Sequence, residues 1–246
     1  MEKNIMFSTP NVILYIMLFV ALYLTYNLYQ SPVTSKSYLI GIYLYILISI
    51  LLITFGARMI GEYNLINPQK YWIVMLLFLV VCFGSFSLML TDDFMTRHIG
   101  LGLFIVVMAM LLSITYKHSS NLVQAGIITS CIVFILSSIV YYSSEKTLEK
   151  MVSWIPTLTM ILFGFIIVEL LYILFSNTYA YRNFFDISII VLFIFYILAD
   201  TSKVVLTSKN LPCKTHQCIN YPWDSLALIL DYINVFIRLV GMSNSS

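Results

Sequence analysis

Charge is what this chain has least of. Only 10% of its 246 residues are Asp, Glu, Lys or Arg, against roughly 25% in soluble domains, while 61% are hydrophobic and the mean hydropathy is +0.94. A soluble globular domain is excluded. The 13 Lys and Arg are scattered singly and the net charge is +2, so no basic patch argues for nucleic acid or for strong binding to anionic lipid. Nine glycines, six prolines and three histidines form no phosphate-cradling loop, haem motif or metal-ligand helix. The chain is therefore read as a non-enzyme that needs no cofactor. No connection exceeds roughly 25 residues, which leaves no room for a soluble domain, and no internal repeat is present.

Long apolar runs are what it has. A helix needs about 20 apolar residues to cross a bilayer, and eight such stretches lie at 11–29, 38–57, 71–91, 99–116, 122–142, 155–176, 184–205 and 225–241. They predict one all-α domain over residues 1–246, a polytopic bundle whose partner is the lipid bilayer. Polar pieces separate them: Ser31-Pro32, Asn67-Pro68, Thr91 to Asp93, Lys117 to Ser120, Ser143 to Lys150, Asn177 to Asn183 and Thr207 to Asp224. The first stretch has no small-residue cleavage site after it and reads as an uncleaved helix. An even number of spans puts both termini on one side, and the Lys and Arg counts on the two sides are too close to orient the chain. Cys82 and Cys131 lie inside apolar stretches, whereas Cys213 and Cys218 share the last loop and are expected to pair in an oxidising lumen. That vote leaves the termini cytosolic. Cys213, His216 and Cys218 as a metal site lack a fourth ligand.

An ionisable side chain at membrane depth costs several kcal/mol, so the few inside the spans point to function. Five stand out: Arg58, Glu169, Asp200, Asp231 and Arg238. Arg58 has Thr54 and Glu62 one turn to either side, and its plainer reading is a snorkelling arginine with a local partner. Glu169, in Ile167-Val168-Glu169-Leu170, has no cation beside it in sequence and is expected either protonated or turned toward the bundle interior. Asp200 closes the run Phe193 to Ala199 and is followed by Thr201, Ser202 and Lys203, as a boundary aspartate would be. Asp231 is different. Asp224 and Arg238 stand seven residues before and after it, only about 20° off on the same helix face, and Asn234 widens that face. Such a stripe on a helix of Leu, Ile, Val and Phe predicts that this last helix is enclosed by the others. The competing reading is an aspartate held by a bundle arginine for packing alone.

Ser225-Leu226-Ala227-Leu228-Ile229-Leu230-Asp231-Tyr232-Ile233-Asn234-Val235-Phe236-Ile237 resembles the final-helix signature of the transmembrane Bax inhibitor motif family. Tyr196-Ile197-Leu198-Ala199-Asp200-Thr201 resembles the end of that family's penultimate helix. Arg58, in Phe55-Gly56-Ala57-Arg58, fits the arginine that ends its second helix, and Lys117, in Tyr116-Lys117-His118, the basic end of its fourth. The resemblance implies a bundle around a central last helix. Asp200 and Asp231 are then a hydrogen-bonded pair that senses protons and gates a calcium leak, and Arg58 is the cation that engages Asp200. The family fold has seven helices against eight stretches here, and the additional one is expected at 155–176. The loop before the final helix is long for the family, and the acid found in the second helix of some relatives is absent from Leu44 to Ile53.

Elementary physics agrees with the implied role, because two carboxylates in a poorly hydrated site cannot both ionise cheaply and so hold one proton between them and titrate as a unit. With Asn234, Thr201 or water they would offer calcium a few hard oxygens, a transit site for a permeant ion and not a cage. The leading expectation is a pH-sensitive calcium leak channel of an internal membrane, endoplasmic reticulum or Golgi with the plasma membrane as alternative, that suppresses cell death. The alternative function is a non-conducting regulator or scaffold for membrane partners in cell death or calcium handling. An intramembrane aspartyl protease is disfavoured, since Asp231 follows Ala227-Leu228-Ile229-Leu230 and not a glycine-containing turn.

Overall fold

The structure is a computed structural model that describes residues 9–62, 71–116, 122–175, 182–211 and 215–243. Among them are eight helices of 19 residues or more: α1 (Thr9–Gln30), α2 (Ser35–Glu62), α3 (Tyr71–Met89), α4 (Phe94–Tyr116), α5 (Leu122–Tyr141), α7 (Ile155–Phe175), α8 (Arg182–Lys209) and α9 (Tyr221–Ser243). A ninth, α6 (Glu145–Val152), has eight residues. No strand occurs among the described residues. Among the described residues six segments are long and apolar enough to cross a membrane: Ser35–Gly61, Phe94–Ser113, Gln124–Tyr141, Glu145–Tyr172, Asn183–Lys209 and Tyr221–Met242, with a shorter apolar piece at Phe78–Met89. Each of the eight predicted spans falls on one long helix, which extends it by a few residues at most ends. In lipid the backbone must satisfy its own hydrogen bonds, and helices of this length do so.

Ser143 to Lys150, predicted as a connection, contains α6 instead. Ser144 caps it by accepting from the Thr147 backbone N–H, Leu148 is fully buried, and Met151 receives the Ser202 hydroxyl on its Sδ at 3.3 Å. Its polarity hid its helical period.

The chain divides into two compact units. The first takes residues 1–118 and 211–226, the second 119–210 and 227–246. In the first, α1 packs on α2, and α4 on both α2 and α3. Gly100 lets α4 approach α3 closely: a Cβ there would stand 2.8 Å from the Ser85 carbonyl oxygen and 2.9 Å from the Met89 nitrogen. The segment leading into α9 is fastened to three helix ends. His216 Nε2 donates to the Ser31 carbonyl at 3.0 Å. A carbonyl only accepts, so Nδ1 is left to accept from the Tyr221 hydroxyl at 2.7 Å. Asn220 Nδ2 donates to the Met89 carbonyl at 2.7 Å, and the Tyr38 hydroxyl to Asp224 Oδ2 at 3.0 Å. The Tyr221 ring stacks on Tyr45 at 5.4 Å, and Tyr45 is bonded in turn to Tyr29 and His98.

In the second unit α8 is the common element, packed by α5, α6 and α7. Tyr232 ties α9 to α5, since its hydroxyl lies 3.1 Å from Ser130 Oγ and donates to the Gly126 carbonyl. The Tyr196 hydroxyl ties α8 to α7 by donating to Thr159 Oγ1 at 3.0 Å. Burial ranks the spans: 56% of the spanning windows of α8 and of α9 is buried, against 6% for Glu145–Tyr172. The last helix is thus enclosed, as its polar stripe predicts, while α7 presents most of its surface outward.

Two predictions follow from the first unit. A Cβ on Gly41 would lie 2.9 Å from Cζ of Tyr221, so Gly41→Ala must displace that ring. We expect a loss of about 1–3 kcal/mol, read as a lower Tm in detergent, and an unchanged Tm would contradict the packing. In the turn before α4, Asp93 Oδ2 accepts from the Thr96 hydroxyl and backbone N–H at 2.6 and 2.7 Å. Those bonds hold its carboxyl below the usual aspartate range. A lowered folded-state pKa stabilises above the unfolded value and is lost as pH falls through the folded one. Asp93→Asn should therefore lessen the fall of Tm with acidification at the most acidic end of a titration; an unaltered acid limb would remove the cap from the account.

Candidate functional site

The polar stripe of α9 resolves into three separate attachments. Asp224 belongs to the first unit and accepts from Tyr38. Asp231 and Arg238 belong to the second unit, and they hold different partners.

Asp231 is hydrogen-bonded side chain to side chain with Asp200 of α8. A carboxylate has no proton to donate, so the bond requires one proton between the two. Asp231 is 4% exposed and Asp200 half-buried. Asp200 lies within α8, which continues to Lys209. Lys203, one turn on, faces it electrostatically, and Tyr196, one turn before, faces both carboxyls. Oγ1 of Thr201, the residue after Asp200, is buried with no hydrogen-bond partner, and Oδ2 of Asp231 accepts from no neighbouring N–H or hydroxyl. Asn234 turns its amide onto the Leu230 carbonyl of its own helix at 2.9 Å.

Arg238 does not hold Asp231. Its Nη1 and Nη2 donate to Glu169 Oε1 and Oε2 at 2.7 and 2.9 Å, a bidentate pair, and Nη1 also donates to Asp186 Oδ1 at 2.9 Å. Glu169, expected either protonated or turned toward the bundle interior, takes its cation from α9, 69 residues away in sequence, where no local reading could find it. Asp186, only 3% exposed, was not among the charges singled out from sequence. Its signal was there, 14 residues before Asp200 and about 40° off on the same helix face.

Arg58 lies half-buried near the end of α2 in the first unit, and is engaged in a polar interaction. Cys218 is disulfide-bonded and Cys82 and Cys131 are free. Cys213, its expected partner, lies outside the described residues, as does Lys117. Both ring nitrogens of His216 are taken by Tyr221 and Ser31, and no group of three metal-ligating side chains occurs among the described residues.

A helical bundle whose described residues include six membrane-length apolar segments, with a hydrogen-bonded acid pair and an ion triad between its helices, is a polytopic integral membrane protein. The family model described as inhibitor of apoptosis-promoting Bax1 matches residues 35–246, and the chain belongs to that family. The match opens after α1 and takes in α2 to α9. No curated protein matches the chain.

Removing Arg238 would leave two carboxylates without their cation. Breaking a buried ion pair from one side costs about 3–5 kcal/mol, so Arg238→Met should lower Tm by several degrees. Glu169→Gln with Asp186→Asn in the same chain should restore most of it. A Tm for Arg238→Met equal to wild type would show that the triad holds nothing.

Proposed function

We propose that this protein is a pH-sensitive calcium leak channel of an internal membrane, endoplasmic reticulum or Golgi, that acts against cell death as the description of its family suggests. The observation that carries the reading is the hydrogen bond between Asp200 and Asp231 on the two most buried spans. Charged or polar groups are rare at such depth and are retained where they serve a path or a proton. A pair that shares one proton changes its net charge by one unit over its titration. The loss of that proton replaces a hydrogen bond with repulsion between two anions, which drives α8 and α9 apart. The deprotonated pair is also the better calcium ligand, and the buried, unpartnered Thr201 Oγ1 supplies a further hard donor. Few ligands mean weak binding, which conduction needs. The resemblance gives Arg58 a part in the same gate.

The test is calcium efflux from proteoliposomes as a function of pH. Wild type should leak with a pH dependence, and Asp231→Asn, which has one titrating group where wild type has a pair, should lose it. Arg58→Ala should displace the profile without abolishing it. A single profile shared by all three would remove the gate, and efflux absent from all three would favour a non-conducting scaffold for membrane partners.

A further inference from the structure

Arg238, Glu169 and Asp186 join the same two helices as the acid pair and add a third. Asp200 and Asp186 are both on α8, Asp231 and Arg238 both on α9. From the acid pair to the triad is 14 residues along α8 and seven along α9, about 21 and 10.5 Å of helical rise. The long Arg238 side chain takes up part of that difference. The two attachments are therefore at separate levels of one antiparallel helix pair. They also differ in kind. The acid pair is a single hydrogen bond that exists only while a proton is shared. The triad is three charge-assisted bonds of 2.7 to 2.9 Å, whose guanidinium keeps its charge at any pH a cell meets. One attachment can open and the other stays closed.

We infer that Arg238, held by Glu169 and Asp186, is the fixed fulcrum about which α8 and α9 separate when the acid pair opens, and that Glu169 and Asp186 are positioning residues for the gate. The inference rests on the reading of Asp200 and Asp231 as that gate. Seven residues bring Arg238 back to the face of Asp231, so the rotation of α9 that the triad fixes is the rotation that aims Asp231 at Asp200. Glu169 has a further effect. It is the bidentate arm, and it stands on α7, which also carries Thr159, the acceptor of the Tyr196 hydroxyl, and Tyr196 faces the pair. Through these two points α7 braces the helix pair from outside. Among the described residues of this unit, the titratable and charged groups facing the pair are Tyr196 and Lys203, both on α8. α7 presents Thr159, which does not titrate, to Tyr196, and Glu169 is occupied by Arg238.

The experiment reads helix separation and leak in the full-length protein. Spin labels are placed at Ile187 and Leu239 near the triad, and in a second sample at Leu206 and Ala227 beyond the acid pair. In wild type the second distance should change with pH while the first does not. In Glu169→Gln the first distance should broaden or become pH-dependent, and the ratio of efflux between the two ends of the pH range should fall fivefold or more, roughly the low end of coupling between sites. The charge-swapped chain, Glu169→Arg with Arg238→Glu, carrying Asp186→Asn so that no second acid faces position 238, should recover both. A first distance that varies with pH in wild type as much as the second overturns the fulcrum. So does a Glu169→Gln protein with wild-type distances and profile. Wild type that moves as expected yet conducts nothing would sink the channel reading and leave the fulcrum standing.

Discussion

In hydrocarbon no water is available to a polar group, so every one inside the bundle must find its partner within the protein. That constraint organises the second unit. Asp200 and Asp231 meet at depth through a side-chain hydrogen bond that joins α8 to α9. The remaining polar contacts of these helices are arranged around that bond: Tyr232 steadies α9 against α5, Tyr196 steadies α8 against α7, and Arg238 gathers α7, α8 and α9 at a second level.

The first unit meets the same constraint largely with tyrosine hydroxyls. Tyr29, Tyr38, Tyr45 and Tyr221 pack their rings together and pass hydroxyl hydrogens to one another, to His98, to His216 and to Asp224. Aromatic rings suit this place because one part of the side chain can be buried in apolar contact while the hydroxyl stays bonded. Gly41 leaves room for the Tyr221 ring. The segment before α9 is thereby held to the ends of α1, α2 and α3 with no ion pair involved in those bonds.

The spans were legible because a bilayer imposes a length and a composition that a sequence must display in full; Ile155–Phe175 could scarcely be read otherwise. The enclosure of α9 was legible too, since Asp224, Asp231 and Arg238 recur on one face. What the stripe did not reveal is that its three charges have three different sets of partners, because a helix face specifies direction and says nothing of what stands opposite. Glu169 illustrates this: its neighbours in sequence are Ile, Val and Leu, and its cation arrives from another helix. Asp186 was passed over although it lies within the predicted span 184–205. α6 was missed for the opposite reason, since eight polar-rich residues carry too short a period to stand out from a loop.

The two candidate functions make different demands on the acid pair. A scaffold needs only that α8 and α9 stay together, and apolar residues of similar volume do that at least as well as buried polar ones, often with a gain in stability. A gate needs a contact that can be reversed by something in the surrounding solution, and a shared proton is such a contact. The carboxyl of Asp231 makes the point within one residue. Asp231 is 4% exposed and meets the Asp200 carboxyl side chain to side chain. Two acids facing each other at that depth cost desolvation free energy that two leucines would not.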